Sequence, residues 1–214
     1  YQDILAIEPD NIDVLYLIGV LNYERDNFDN ALMYTLKVIK LNPNSPDAYC
    51  SLANILKAKG ELDAAIEYYK KSLTLDNDNS TTHYNLGVAY QDIGKLDSAI
   101  ICYEKAINIK RDFAEAYNNL GNVHRDKDRL SEAILCYRKA IEFKSGFAEA
   151  FNNLGAALKN QGHVEEARIC YEKALQLNPD YAAAYNNLGN ILRELNQYND
   201  ALICYQKALH IDPD

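Results

Sequence analysis

The chain has 214 residues, a formal net charge of −9 and a sequence pI near 5.0. This acidic balance argues against nucleic acid as a partner, because nucleic acid is bound by clustered lysine and arginine side chains. No apolar run approaches the roughly 20 residues that a membrane-spanning helix needs, so the sequence predicts no membrane partner.

A pattern of 34 residues recurs along the whole chain. Residues 1–11 match the end of a preceding unit, and six repeats follow without a linker: 12–45, 46–79, 80–113, 114–147, 148–181 and 182–214. We number positions 1 to 34 within each repeat. A period of this size indicates units that stack on their neighbours, not one globular core. Since the chain starts within a unit and repeat 6 is one residue short, we expect a piece of a longer array.

Each repeat predicts two helices. Position 7 is always aliphatic, position 8 is Gly or Ala, position 20 is always Ala, and position 24 is Tyr except for Thr35 in repeat 1. Positions 4, 7, 8 and 11 share one face of a helix, so the small residues allow the two helices to approach closely. Position 15 is always Gly, Asp or Asn, which tolerate the left-handed backbone of a helix C-cap. We therefore expect the first helix to end near position 15 and the second near position 30, with Ser45 and Pro46 starting repeat 2 as N-cap and first helical residue.

These columns resemble the tetratricopeptide repeat, with its aromatic-x2-Leu-Gly-x2-Tyr…Ala-x3-Phe/Tyr…Pro pattern. The resemblance covers the whole chain. It implies an all-α fold, a right-handed superhelix (an α-solenoid) of stacked antiparallel helix pairs. It also implies a non-catalytic scaffold for protein–protein interaction, whose concave groove takes an extended peptide or a partner segment.

The groove is expected on the other face of the first helix, where positions 5, 6, 9 and 12 lie. Position 6 is Asn in repeats 3–6, and basic residues recur at position 12. The predicted groove residues are Asn85, Asn119, Asn122, Asn153, Asn187, Asn190, Arg125, Lys159 and Arg193. A carboxamide both donates and accepts, so this column can pair with the backbone of an extended peptide. The basic residues would then contact acidic side chains, and Asn118, Asn152 and Asn186 polar ones. The alternative is that the asparagines form hydrogen bonds within the scaffold.

The asparagine column also resembles the repeat region of O-linked N-acetylglucosamine transferase and of similar bacterial proteins, where groove asparagines hold the backbone of extended substrates. The matching positions are Asn85, Asn119, Asn153 and Asn187, whereas Leu17 and Ser51 depart from the column. This resemblance implies an alternative function, the substrate-recognition arm of a larger glycosyltransferase. A third possibility is self-association through apolar faces at the ends of the array, where we expect Tyr198, Ala201, Tyr205, Ala208 and Leu209 to be uncovered.

No catalytic, cofactor-binding or metal-binding motif stands in the sequence, so we predict no enzyme activity and no cofactor for this chain. His83 and His124 fall in core columns and are expected to be packed. Four cysteines recur at position 23, one repeat apart, which is too far for disulfide bonds: Cys102, Cys136, Cys170 and Cys204. Free, half-buried thiols favour an intracellular and cytoplasmic location.

Overall fold

The computed structural model describes residues 8–213, and every regular element in that range is an α-helix. The twelve helices of the described chain form six antiparallel pairs, one pair in each predicted repeat. Most of the predicted helix remnant at residues 1–11 lies outside the described residues. None of the described helices combines the length and apolar character that a membrane span requires.

The chain divides into two compact units, and the boundary in the sequence falls between Arg111 and Asp112. The helices of the first unit are α1 (Ile12–Tyr23), α2 (Phe28–Leu41), α3 (Pro46–Ala58), α4 (Leu62–Leu75), α5 (Ser80–Asp92) and α6 (Leu96–Ile109). Those of the second unit are α7 (Ala114–Asp126), α8 (Leu130–Phe143), α9 (Ala148–Asn160), α10 (Val164–Leu177), α11 (Ala182–Glu194) and α12 (Tyr198–Ile211). Odd-numbered helices are therefore the first helices of the repeats, and even-numbered helices are the second.

The turn within each pair has the predicted left-handed residue. Position 15 has a positive φ in all six repeats: Asp26 (56°), Gly60 (82°), Gly94 (73°), Asp128 (58°), Gly162 (87°) and Asn196 (61°). The prediction that Ser45 caps a helix is also confirmed, because its side chain accepts a hydrogen bond from the backbone N–H of Ala48. Position 15 itself lies in the turn, since the first helix ends at position 12 or 13.

The two helices of a pair approach closely where position 8 faces position 24. A Cβ atom placed on Gly121 would lie 2.6 Å from Cε1 of Tyr137, and one on Gly155 would lie 2.7 Å from Cε1 of Tyr171. Both tyrosines are almost completely buried. The prediction that small residues at position 8 permit this contact is confirmed, since at these two glycines an added Cβ would fall within the space of the ring.

The cysteines are free thiols, as expected. Cys102, Cys170 and Cys204 are buried, whereas Cys50 and Cys136 are half-buried. Burial raises the pKa of Cys102 and of Cys170 to about 11 by disfavouring the thiolate. These side chains therefore act as small apolar residues in the packing, not as nucleophiles.

The expectation of an uncovered apolar face on α12 is correct only in part. Ala201 and Ala208 are buried, because they belong to the side of α12 that packs on α11. Tyr198 and Leu209 are exposed, each with 62% of its surface accessible. Leu202 is also exposed, with 56% of its surface accessible. Ile134 stands at the same repeat position, in α8, and only 7% of its surface is accessible because α9 packs over it.

Candidate functional site

We call the residues at positions 5, 6, 9 and 12 of the odd-numbered helices the first-helix surface. In the second unit, hydrogen bonds between side chains join this surface across neighbouring repeats. Nδ2 of Asn153 donates to Oδ1 of Asn118 over 3.1 Å, and Nδ2 of Asn187 donates to Oδ1 of Asn152 over 2.9 Å. The position 6 amide of one repeat is therefore held by the position 5 amide of the repeat before.

A second set of hydrogen bonds ties the first-helix surface to the core of each pair. The hydroxyl of Tyr137 donates to Oδ1 of Asn122 at 2.8 Å, and that of Tyr205 donates to Oδ1 of Asn190 at 2.9 Å. Each phenol lies at position 24 and each asparagine at position 9. The scaffold hydrogen bonds that the sequence left as an alternative are thus present on this surface.

Two of the predicted polar contact residues are buried. Asn118 is only 1% exposed and Asn152 only 7%, so the expectation that they contact a partner's side chains is wrong. Their carboxamide oxygens orient Asn153 and Asn187 instead. Asn186, the third residue of this set, is exposed. Asn153 is itself 9% exposed, whereas Asn119, Asn122, Asn187 and Asn190 are half-buried.

The basic residues at position 12 stand beside acidic groups. Nζ of Lys159 lies 2.8 Å from a carboxylate oxygen of Glu194, and Nη2 of Arg125 lies 3.1 Å from Asp126. Arg193, the third predicted basic residue, is exposed. Pairs with this much solvent contact contribute little to stability, so an acidic group of a partner can exchange for the internal one at small cost.

The first unit has a related network centred on Asn54, which the sequence analysis did not select. Oδ1 of Asn54 accepts from the hydroxyl of Tyr69 at 2.5 Å and from Nδ2 of Asn85 at 3.2 Å. Asn85, the predicted groove residue of this unit, is therefore engaged in the scaffold through one of its N–H groups. The recurrence of Asn at position 9 opposite Tyr at position 24 is the signal that could have identified Asn54.

No group of three or more His, Cys, Asp or Glu side chains within residues 8–213 is placed to hold a metal ion. His83 is buried as expected, with its Nε2 3.0 Å from the backbone oxygen of Asn77. Desolvation lowers the pKa of this imidazole, so the neutral ring is a packed group of repeat 3.

Helix pairs of 34 residues, with a glycine of the first helix packed on a tyrosine of the second, define an array of tetratricopeptide repeats. The chain belongs to the family described as the cilia and flagella-associated protein 70 C-terminal domain, whose model matches residues 6–212. Repeats of this class are generally protein-interaction domains and are typically non-catalytic.

The chain is also similar to individual proteins. It is 35% identical over 54 residues to the UDP-N-acetylglucosamine–peptide N-acetylglucosaminyltransferase of Caenorhabditis elegans, a match that covers 25% of this chain and only 5% of the enzyme. The structure of YrrB, described as a tetratricopeptide repeat protein with an unusual peptide-binding site, is 27% identical, with a TM-score of 0.68. That match covers 84% of this chain and 93% of YrrB. PilF of Pseudomonas aeruginosa shares the fold at 19% identity, with a TM-score of 0.86 over 94% of this chain and 92% of PilF.

Proposed function

We propose that the chain is a non-catalytic interaction module whose first-helix surface binds an extended peptide or a partner segment of another protein. The observation that supports this most directly is the row of carboxamides held in register by hydrogen bonds between neighbouring repeats. Each bond uses one N–H of the donor amide, and a carboxamide has a second N–H and two acceptor lone pairs.

Holding these side chains before binding lowers the entropy cost of association, because fewer rotamers must be frozen in the complex. A carboxamide recognises the N–H and C=O groups that every peptide carries, so such a surface accepts many sequences. Specificity would then come from neighbouring groups, of which Arg125, Lys159 and Arg193 favour acidic side chains. A family named for cilia and flagella makes ciliary proteins the first partners to test, and with the free thiols it supports an intracellular location.

The second candidate is the substrate-recognition arm of a larger glycosyltransferase. The local identity to the Caenorhabditis elegans enzyme favours it, although it covers only a quarter of this chain. The two candidates share the same binding surface and differ in what the rest of the protein does. A transferase assay on the full-length gene product, with a peptide acceptor, separates them.

The test of the shared claim is to select peptides from a displayed random library against the chain and to map the complex by hydrogen–deuterium exchange. We expect added protection in the odd-numbered helices, on the peptides that contain Asn119, Asn153 and Asn187. Protection confined to the even-numbered helices would move the binding site to the opposite face and contradict the proposal.

A further inference from the structure

A cavity of about 220 Å³ lies in the first unit between helices of repeats 1 and 2. Repeat 1 contributes Tyr16, Gly19, Tyr23 and Thr35 to its wall. Repeat 2 contributes Ser51 and Asn54.

The cavity has its origin in the exception at position 24. In repeat 3, a Cβ placed on Gly87 would lie 2.7 Å from Cε1 of Tyr103, because the ring fills the space beside the glycine. In repeat 1 the same position is Thr35, and a Cβ on Gly19 would meet no ring: its nearest neighbour is Oγ1 of Thr35 at 3.2 Å, and the backbone N of Thr35 and Cβ of Tyr34 follow at 3.7 Å. The volume that a phenol ring occupies in the other repeats is therefore open beside Gly19.

The cavity reaches the first-helix surface of the first unit. Tyr16, Val20 and Tyr23 stand at positions 5, 9 and 12, and Ser51 and Asn54 at positions 6 and 9 of the next repeat. All five side chains are half-buried, so they form both the wall of the cavity and part of the solvent-facing surface.

The wall suits an aromatic ring more than a charged or strongly polar group. Two tyrosine rings and Val20 supply apolar area, and aromatic side chains prefer the offset or edge-on contact of other rings. Three of the polar atoms in the wall have partners within the protein, since Ser51 Oγ lies 3.3 Å from the Tyr16 hydroxyl and Asn54 Oδ1 accepts two hydrogen bonds. A ring that enters the cavity therefore leaves the Ser51 and Tyr16 hydroxyls and Oδ1 of Asn54 with hydrogen-bond partners.

We propose that this cavity is an anchor pocket for an aromatic side chain, Phe or Tyr, of a peptide bound along the first-helix surface. The chain itself indicates an aromatic guest, because the equivalent space in repeats 3–6 holds a tyrosine ring beside a glycine. The inference rests on the proposed function. It adds a position on the surface that would select partners with an aromatic side chain.

The test fills the pocket from inside with Thr35→Tyr, the residue that the other repeats have at this position. Repeat 3 indicates that the ring fits. It has the same residues at positions 8 and 9, Gly87 and Val88, and its position 24 residue, Tyr103, packs beside the glycine. Thr35→Val is the matched control, because it changes the hydroxyl to a methyl of similar size and leaves the pocket open. Thr35→Phe is a second filling variant in case the tyrosine variant does not fold.

The probe is 4-fluorophenol, followed by ¹⁹F NMR as each protein is added. We expect line broadening and a shift with the wild type and with Thr35→Val, and a loss of at least tenfold in apparent affinity with Thr35→Tyr or Thr35→Phe. Equal binding to the wild type and the filled variants would overturn the proposal. This readout does not depend on any peptide, so it stays interpretable if the proposed function fails.

A second arm uses an aromatic peptide selected on the wild type. We expect Thr35→Tyr to weaken that peptide at least tenfold, and Thr35→Val, which leaves the pocket open, to have a much smaller effect. If the selected peptide protects the odd-numbered helices but binds Thr35→Tyr as tightly as the wild type, the anchor pocket is wrong while the proposed function stands.

Discussion

Asn187 donates from Nδ2 to Oδ1 of Asn152 across 2.9 Å, and this bond joins the first helices of two consecutive repeats. Because one N–H of Asn187 is committed to Asn152, the carboxamide plane is fixed and the direction of its second N–H is set. The same arrangement recurs one repeat earlier, between Asn153 and Asn118. The buried amide thus acts as a positioning group for the more exposed one.

The first prediction tests the carboxamide row by replacing Asn119, Asn153 and Asn187 together with Ala. Each neutral hydrogen bond contributes only ~0.5–1.5 kcal/mol net, so a single replacement should change peptide affinity little. The triple variant should raise the Kd of a peptide selected on the wild type by ~10–1000-fold. Isothermal titration calorimetry measures the change.

The matched control replaces three exposed asparagines of even-numbered helices, Asn30, Asn108 and Asn199, with Ala. Circular dichroism and thermal unfolding establish that both triple variants are folded before binding is compared. Equal affinity of the two triple variants would exclude the first-helix surface as the binding site.

The second prediction concerns Gly121, which faces the ring of Tyr137. Gly121→Leu should lower the free energy of unfolding by ~1–3 kcal/mol or more, because its Cβ alone would lie 2.6 Å from Cε1 of Tyr137 and the side chain would overpack the contact between the helices. Gly121→Ala should cost less, since Ala53 occupies the same position in repeat 2 beside Tyr69.

Gly146 provides the control for these substitutions, because a Cβ placed there meets no heavy atom within 4 Å. Gly146→Ala should change the urea midpoint little. If Gly121→Leu unfolded at the same urea concentration as the wild type, the close packing of positions 8 and 24 would not be a source of stability.

The features that the sequence predicted well are those that recur in every repeat. Position 15 has a residue compatible with positive φ in all six repeats, and Asp26 and Asn196 adopt it as the glycines do. The amide pairs were not predictable in the same way. Asn118 and Asn119 are adjacent in the sequence, and which of them is buried depends on the packing of α9 against α7, a tertiary property that helical periodicity does not contain.

The end of α12 shows the same limit. The sequence predicted Ala201 and Ala208 to be uncovered, but the partner within the pair already buries them. Leu202, which was not among the predicted residues, is exposed. The corresponding residue of α8, Ile134, is buried because α9 of the following repeat covers it. Burial within a pair and burial between pairs involve different sides of the same helix, and the repeat pattern alone does not separate them.

The third prediction concerns self-association of the 214-residue chain through Tyr198, Leu202 and Leu209. These exposed apolar residues lie on one helix, and a patch of this kind favours contact with another molecule. We expect the average mass from light scattering to rise with protein concentration, and the double substitution Leu202→Glu and Leu209→Glu to suppress the rise. Glu substitutions at exposed Leu135 and Ile169 are the control. A wild type that remains monomeric at millimolar concentration would contradict the prediction.

The fourth prediction is a pH dependence of stability due to His83. Burial of the ring is the largest effect and lowers its pKa from 6.5, and the charge of Lys105 adds to it, whereas the Asn77 carbonyl, Asp78 and Asp76 oppose it. Because the folded state has the lower pKa, the unfolded state binds more protons as the pH falls below about 6.5. The contribution of His83 to stability is therefore complete above that pH and decreases as the pH falls toward the folded-state pKa.

The comparison that isolates this effect is with His83→Phe, since position 4 is aromatic in repeats 4–6 and the ring fills the same site without titrating. Urea unfolding of both proteins at pH 7.5 and pH 5.0 gives four free energies of unfolding. The His83→Phe protein lacks the titrating ring, so the difference between the two pH dependences reports on His83 together with its charged neighbours. We expect the wild type to lose more stability than His83→Phe on acidification. A smaller loss in the wild type would mean that His83 is protonated in the folded protein, with Asp76 and Asp78 outweighing the desolvation of the buried ring.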